Sequence, residues 1–208
     1  MAVRRPRARR GEGDLLRQEI LDAAGRLLAE HGDENAVSVR MIADAVGVSP
    51  PSIYLHFPDK DALIEAVCED RFAAFDLALE EAAAGETDPL EALRARGRAY
   101  VRYGLDHPEA YRVIFMTKHE RVMTVDDLAS FDNAGARAFG HLVEAVATAD
   151  YAGVIDAGDS FYAAVAIWTA FHGLVSLLIS EPGFPWPPVD LLVERLLDLQ
   201  IEGLRPRT

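Results

Sequence analysis

Between Ser49 and His56 the sequence reads Ser-Pro-Pro-Ser-Ile-Tyr-Leu-His, gathering two hydroxyls, a phenol and an imidazole into one short stretch. Ser49, Ser52, Tyr54 and His56 can each give or accept hydrogen bonds, and Pro51 and Leu55 add apolar surface. A short exposed helix carrying such groups can enter the major groove of a DNA duplex and bond to phosphates and base edges. The amides of its first turn, beside Ser49, would be further donors to a phosphate oxygen. Metal and catalytic chemistry find less support. The histidines (His31, His56, His107, His119, His141 and His172) are scattered without paired ligand spacing, and Cys68 has no CxxC partner. His119-Glu120 lacks the second histidine of a zinc-hydrolase helix, and neither a Gly-rich phosphate loop nor a nucleophile elbow occurs. The expectation is no catalytic residue, no metal and no cofactor.

Presenting that stretch outward requires two short helices clamped at a steep angle. Residues 39–58, VRMIADAVGVSPPSIYLHFP, supply the parts. Ala43 is small where the second helix would cross the first. Gly47 tolerates positive φ in the turn. Ile42, Val46, Val48 and Ile53 fall at intervals that pin the pair onto a third helix. The same pattern also suits two helices simply packed in a bundle, and spacing alone does not separate the two readings.

The rest of the chain reads as helical almost throughout, because apolar residues recur at helical spacing and β-branched alternation is hardly present. The expected helices are about 15–31, ending at a Gly32 cap, and 38–46, opened by Ser38. The next begins at Pro50, where proline is tolerated in a first turn. Further helices are expected at 60–84, 89–106, 108–116, 125–149, 159–180 and 189–203, with Asp88-Pro89 as a start and the run EPGFPWPP as a break. The fold class is therefore all-α, about nine helices: an amino-terminal three-helix head and a larger helical bundle. The expected division is a basic arm at 1–13, a head at 14–58 and a bundle at 59–208.

Two segments carry a family resemblance. Ser38–Ser49, Ser-Val-Arg-Met-Ile-Ala-Asp-Ala-Val-Gly-Val-Ser, continues into Ser-Pro-Pro-Ser-Ile-Tyr-Leu-His-Phe-Pro-Asp-Lys-Asp-Ala-Leu, preceded by a long helix ending in Glu30-His31-Gly32. Over residues 15–65 this resembles the helix-turn-helix signature of the TetR family of bacterial transcriptional regulators. His107–Met116 and Ala166–Leu177 are similar, more locally, to an effector domain marked by a Trp…His-Gly pattern, here Trp168 and His172-Gly173. The resemblance implies a repressor that binds a palindromic operator as a homodimer and is released by a small molecule. It further implies that Ser38, Arg40 and Lys60 hold phosphates and that Tyr54 reaches the backbone with its hydroxyl. Ser49, Pro51, Ser52, Leu55 and His56 would sit on the reading helix. Many family members carry Gly, Thr or Lys where this chain has Pro50-Pro51-Ser52, so no base preference follows from the resemblance.

Charge and composition fit two unlike parts. The 208-residue chain carries a net charge of −13. Residues 1–60 are neutral overall, with five arginines and no acid among the first ten, and the whole excess of acid lies beyond. Only the first part approaches a polyanion cheaply, and its arm would add salt-sensitive attraction; the arm is equally open to reading as a solubilising tail. One cysteine fits a reducing cytosol, the basic start leads into no apolar signal segment, and the apolar run 161–179 reads as a buried or interface helix.

For an effector pocket, apolar walls with a few polar groups are wanted, and Tyr103, Phe115, Met116, Phe131, Trp168, Phe171 and His172 are the candidates, for a small apolar or aromatic molecule. His172 beside Gly173 also reads as a satisfied core histidine. The resemblance puts the dimer interface on the last two helices, through Leu174, Leu178, Leu192, Leu196 and Leu199, and the leucines of the last helix offer more apolar surface than an edge helix needs. The rival reading is an all-helical enzyme or small-molecule carrier whose amino-terminal helices merely pack; a constitutive repressor without ligand is a third. Binding to sheared DNA with a steep salt dependence distinguishes a regulator from the rival.

Overall fold

The computed structural model describes residues 13–119 and 132–205. The basic arm through residue 12, Phe131 and the expected helix start at Val125 lie outside the described residues. Among those described there are nine α-helices and no strand, only an isolated bridge between Asp33 and Lys118. They form two compact units: residues 13–71 with 109–119, and residues 72–108 with 132–205.

In the first unit, α1 (Gly13–His31) buries Ile20, Leu21, Ala24 and Leu28 along one stripe and stops at Gly32, whose φ of 68° closes the helix. A turn of 3₁₀-helix, Glu34–Ala36, leads to α2 (Val39–Val46), capped by Ser38 Oγ accepting from the Met41 amide. Gly47, at φ 77° and ψ 31°, turns the chain, and α3 follows at Pro50–Ile53. Asp59 Oδ1 accepts from the Ala62 amide to open α4 (Lys60–Ala83), which continues into the second unit. The short α6 (Pro108–Tyr111) and a π-turn over Arg112–Met116 return to the first unit, the turn packing on α1. The sequence suggested one helix over 108–116. The Thr117 amide instead bonds to the Arg112 carbonyl at 2.7 Å, a five-residue reach that widens the last turn.

The second unit is a bundle of α5 (Pro89–Asp106), α7 (Ala134–Tyr151), α8 (Ser160–Ser180) and α9 (Val189–Gly203), with the end of α4. Asp88 caps α5 through Leu90 and Asp159 caps α8 through Phe161 and Tyr162. At α7 the expectation of a helix continuing from 125 fails at its near end. Asn133 is extended, at φ −123°, and its side chain accepts from the Ala136 amide, so the helix starts anew at Ala134. Close packing centres on α5. A Cβ on Gly97 would lie 2.7 Å from Leu197 Cδ2 and 3.1 Å from Phe171 Cζ, so α8 and α9 approach α5 where no side chain intervenes. Arg94 and Arg98 tie α5 to α9 through Asp198 (2.8 Å) and Glu194 (2.5 Å). The guanidinium of Arg98 holds the Glu194 carboxyl below the usual carboxylate range.

Candidate nucleic-acid interface

The local build of the head follows from side-chain size and burial. Ile42, Ala43, Ile53 and Phe57 are 3% exposed or less, so one side of the α2–α3 pair is sealed against the head. Ala43 has no exposed surface, as a crossing point requires. The Gly47 and Val48 amides both donate to the Ala43 carbonyl, at 2.9 and 3.0 Å, closing α2 through a left-handed residue that L side chains seldom adopt. Val46 and Val48 are half-buried. The guanidinium of Arg17 lies over the Phe57 ring, 5.1 Å from its centroid.

On the other side the chain is open. Leu55 is 85% and Tyr54 51% exposed, and Ser38, Arg40, Ser49 and Pro51 are exposed with them; Ser52 and His56 are half-buried. The residues singled out from the sequence for this role are thus exposed or half-buried. Ser49 Oγ and Ser52 Oγ lie 2.9 Å apart and hydrogen-bond each other.

One expectation changes, and the structure adds a contact to another. The first turn of α3 is not an anion-binding turn. Pro50 and Pro51 have no N–H, and the Ser52 amide already donates to the Ser49 carbonyl at 2.8 Å. Lys60, expected to reach a phosphate, is half-buried, and its Nζ donates to the Glu34 carbonyl at 2.5 Å. An ammonium has three donors, so that bond positions Lys60 and leaves two.

Sequence reading missed a cluster behind this surface. His119 Nδ1 lies 2.9 Å from Glu34 Oε2 and its Nε2 lies 2.8 Å from the Val113 carbonyl and 3.8 Å from Cys68 Sγ. Both ring nitrogens face oxygen acceptors, and only the doubly protonated imidazolium satisfies both. The Cys68 sulfur, the Val113 carbonyl and the Glu34 carboxylate raise the imidazole to about 9 against the opposing effect of burial. Glu34, Cys68 and His119 are far apart in sequence, and no motif links them.

In the second unit Tyr103 and Phe171 are buried, Tyr103 meeting Phe75 edge-on at 5.3 Å and Phe171 lying 6.3 Å from Tyr100. Trp168 packs against Phe139 at 6.0 Å and against His172 at 5.8 Å. Burial pushes His172 down, toward the neutral imidazole, and Ser176 Oγ is 3.4 Å from its Nε2. Phe115 and Met116 belong to the first unit, Phe115 lying 4.8 Å from Tyr111. Phe131 lies outside the described residues. Among the described residues one group has metal-ligand proximity that the sequence did not suggest, Asp76, Glu80 and His141. Arg96 holds both Glu80 oxygens at 2.9 Å, and Asp76 Oδ1 meets His141 Nδ1 at 2.9 Å. These carboxylates already have cationic or N–H partners.

Of the leucines expected at a dimer interface, Leu174 is buried against its own subunit at 9% exposure. Leu178, Leu192 and Leu196 are half-buried, and Leu199 is 59% exposed. Leu177 and Leu191, at 50% and 68%, point out instead. The helical period explains it: Leu174 falls on the stripe of Ala163, Ala164, Phe171 and Val175, which faces the bundle.

Residues 20–67 match the bacterial regulatory proteins of the tetR family, and residues 93–204 match the tetracyclin repressor-like C-terminal domain. A TetR family transcription regulator from Marinobacter aquaeolei is 26% identical and superposes with a TM-score of 0.78, over 93% of this chain and 97% of that one. The HTH-type transcriptional repressor KstR2 of Mycolicibacterium smegmatis is 32% identical over 120 residues, 56% of this chain and 54% of that protein. AcnR of Corynebacterium diphtheriae, another HTH-type transcriptional repressor, is 44% identical over 59 residues, 28% of this chain and 30% of its own. The chain thus spans about half the length, or less, of these two curated relatives. With its helix-turn-helix and its carboxy-terminal bundle both matched, the chain belongs to the TetR family of transcriptional regulators.

Proposed function

We propose that the chain is a sequence-specific transcriptional repressor, not an enzyme, that acts in the cytoplasm as a homodimer on a palindromic operator and is released by a small apolar or aromatic effector. The observation that carries this reading is the open surface of α3 and of the turn that follows it. Ile53 and Phe57 anchor the helix from behind, while Pro51, Tyr54 and Leu55 stand out from the head in a chain of this family. In this reading residues 14–58 grip the major groove, with Ser49, Pro51, Ser52, Leu55 and His56 toward the bases and Ser38, Arg40, Tyr54 and Lys60 toward the phosphates. The arm at 1–13 adds attraction to the duplex, and residues 59–208 bind effector and dimerise. Two-fold symmetry places a pair of α3 helices about one helical turn of DNA apart. Tyr103, Trp168, Phe171 and His172, all of the second unit, are the proposed effector contacts. An effector that prefers one spacing of the two heads lowers DNA affinity by that difference in binding.

The exposed apolar faces of α8 and α9 support the dimer. No charged side chain occurs from Ser160 to Ser180, and Tyr162 and Leu177 are 74% and 50% exposed there; Leu191 and Leu199 extend the surface on α9. By length and composition α8 could also cross a membrane. A second copy of the same face covers this surface without one.

The test is duplex binding at rising salt. For a protein that neutralises phosphates the logarithm of the binding constant falls linearly with the logarithm of salt concentration, with a slope of about −0.9 per phosphate contacted. A duplex affinity undetectable at low ionic strength defeats the proposal.

A further inference from the structure

The outward surface of α3 and the turn that follows it lacks the usual means of reading a purine. From Ser49 to Phe57 there is no Arg, Lys, Asn, Gln, Asp or Glu, and those are the side chains that grip guanine or adenine with two parallel bonds, or accept from cytosine. The hydroxyls of Ser49 and Ser52 are turned on each other at 2.9 Å. Pro50 and Pro51 offer no amide, and the amides of Ser52 and His56 are spent on the carbonyls of Ser49 (2.8 Å) and Ile53 (2.9 Å). The ring nitrogens of His56 lie on opposite edges of the imidazole and cannot meet one base with a parallel pair of bonds. Apart from Tyr54, 51% exposed and assigned to the backbone, the open surface offers hydrocarbon: Leu55, 85% exposed, and the exposed pyrrolidine ring of Pro51.

We infer that Leu55 and Pro51 make this protein a reader of thymine methyl groups, so that its operator is selected by apolar contact in the major groove. The inference rests on the DNA-binding reading above and gives it a base preference. Each base pair shows a distinct major-groove edge, and only thymine adds a C5 methyl among the four standard bases. Leucine against that methyl removes apolar surface from water. Leucine against the donors and acceptors of a G·C edge strips them of water and returns no hydrogen bond. The same side chain thereby favours T·A pairs and disfavours G·C pairs at the base steps it covers.

The experiment enriches a duplex pool with a randomised core on the full-length chain, then resynthesises the winning duplex with deoxyuridine for thymidine. Deoxyuridine keeps every hydrogen-bonding group and loses only the methyl. The expected result is a winning duplex with thymines fixed in each half-site, bound about fourfold more weakly for each contacted methyl removed. Placing 5-methylcytosine for cytosine in a sequence with a C·G pair at such a position should recover part of the loss. Leu55→Ala, at a site open to solvent, should leave the head folded and narrow the gap between the thymidine and deoxyuridine duplexes, with Pro51 keeping the remainder. If wild type binds both duplexes equally, or if Leu55→Ala stays as methyl-sensitive as wild type, the inference is overturned and duplex binding itself stands. If no duplex is enriched and no salt-dependent binding is found, the regulator reading falls together with it.

Discussion

At the residue scale, the head divides its polar groups between holding itself together and facing outward. Tyr54 is half open to solvent and is proposed to reach the DNA backbone. Tyr54→Phe removes one hydroxyl and should weaken binding to every duplex by about 1 kcal/mol, roughly fivefold, with no change in base preference; titration of wild type and variant against selected and unselected duplexes checks both parts. Lys60 is different, since it also holds the Glu34 carbonyl. Behind it, the His119 imidazolium bridges Glu34 and the Val113 carbonyl beside Cys68. Its value of about 9 in the folded chain exceeds the ordinary 6.5. The raised value means that protonation stabilises the fold: the contribution is complete below about 6.5 and is lost as pH rises through about 9. Thermal melting across that window should show the wild type losing stability with pH more steeply than His119→Gln, whose melting should lack this component.

At the element scale, two glycines mark where backbone closeness matters. Gly47 holds φ 77° between α2 and α3. Any L side chain there strains the turn that sets their angle, so Gly47→Ala should cost about 1 kcal/mol of stability and lower DNA affinity, as measured by chemical denaturation and duplex titration. Gly97 has an ordinary negative φ but no room, with Leu197 and Phe171 pressed over it. Gly97→Ala should overpack the junction of α5 with α8 and α9 and destabilise the chain by about 1–3 kcal/mol, with little direct effect on the head. Denaturation of this variant against wild type settles the sign, since Ala would otherwise favour a helix.

At the scale of the whole molecule, the exposed apolar surface on α8 and α9 calls for an explanation in assembly. A charge-free helix of 21 residues with Tyr162 and Leu177 open to solvent is an unusual outer wall for an isolated subunit. The proposed homodimer would bury it and bring two heads to one operator. Leu191 and Leu199 are exposed in the single subunit, so the double change Leu191→Asp with Leu199→Asp should leave the subunit folded. Sedimentation should find monomers, and operator affinity should fall steeply because each head then binds a half-site alone. A dimer that survives both changes removes α9 from the proposed interface.

Much of the architecture was legible because its causes are local. Helix caps depend on one side chain and amides two or three residues away, so Ser38, Asp88 and Asp159 announce α2, α5 and α8, and Pro187-Pro188 precedes a helix expected and found at 189–203. Ala43 and Gly47 announce a tight helix pair for the same local reason, but the helix-turn-helix itself was legible only from the resemblance of residues 15–65 to the family signature. Pro50-Pro51 likewise announces a helix start, while the engagement of the Ser52 amide, which removes the expected anion site, needs the fold to be seen. Other features were decided only in three dimensions. Periodicity gives a stripe and not its neighbours, so the sequence could not say that Leu174 faces inward and Leu177 outward. The π-turn after Tyr111 and the cap at Asn133 divide stretches whose apolar spacing suits one continuous helix. The meeting of Glu34, Lys60, Cys68 and His119 depends on how distant segments pack, because side-chain contact falls off within a few ångströms and sequence distance carries no trace of it.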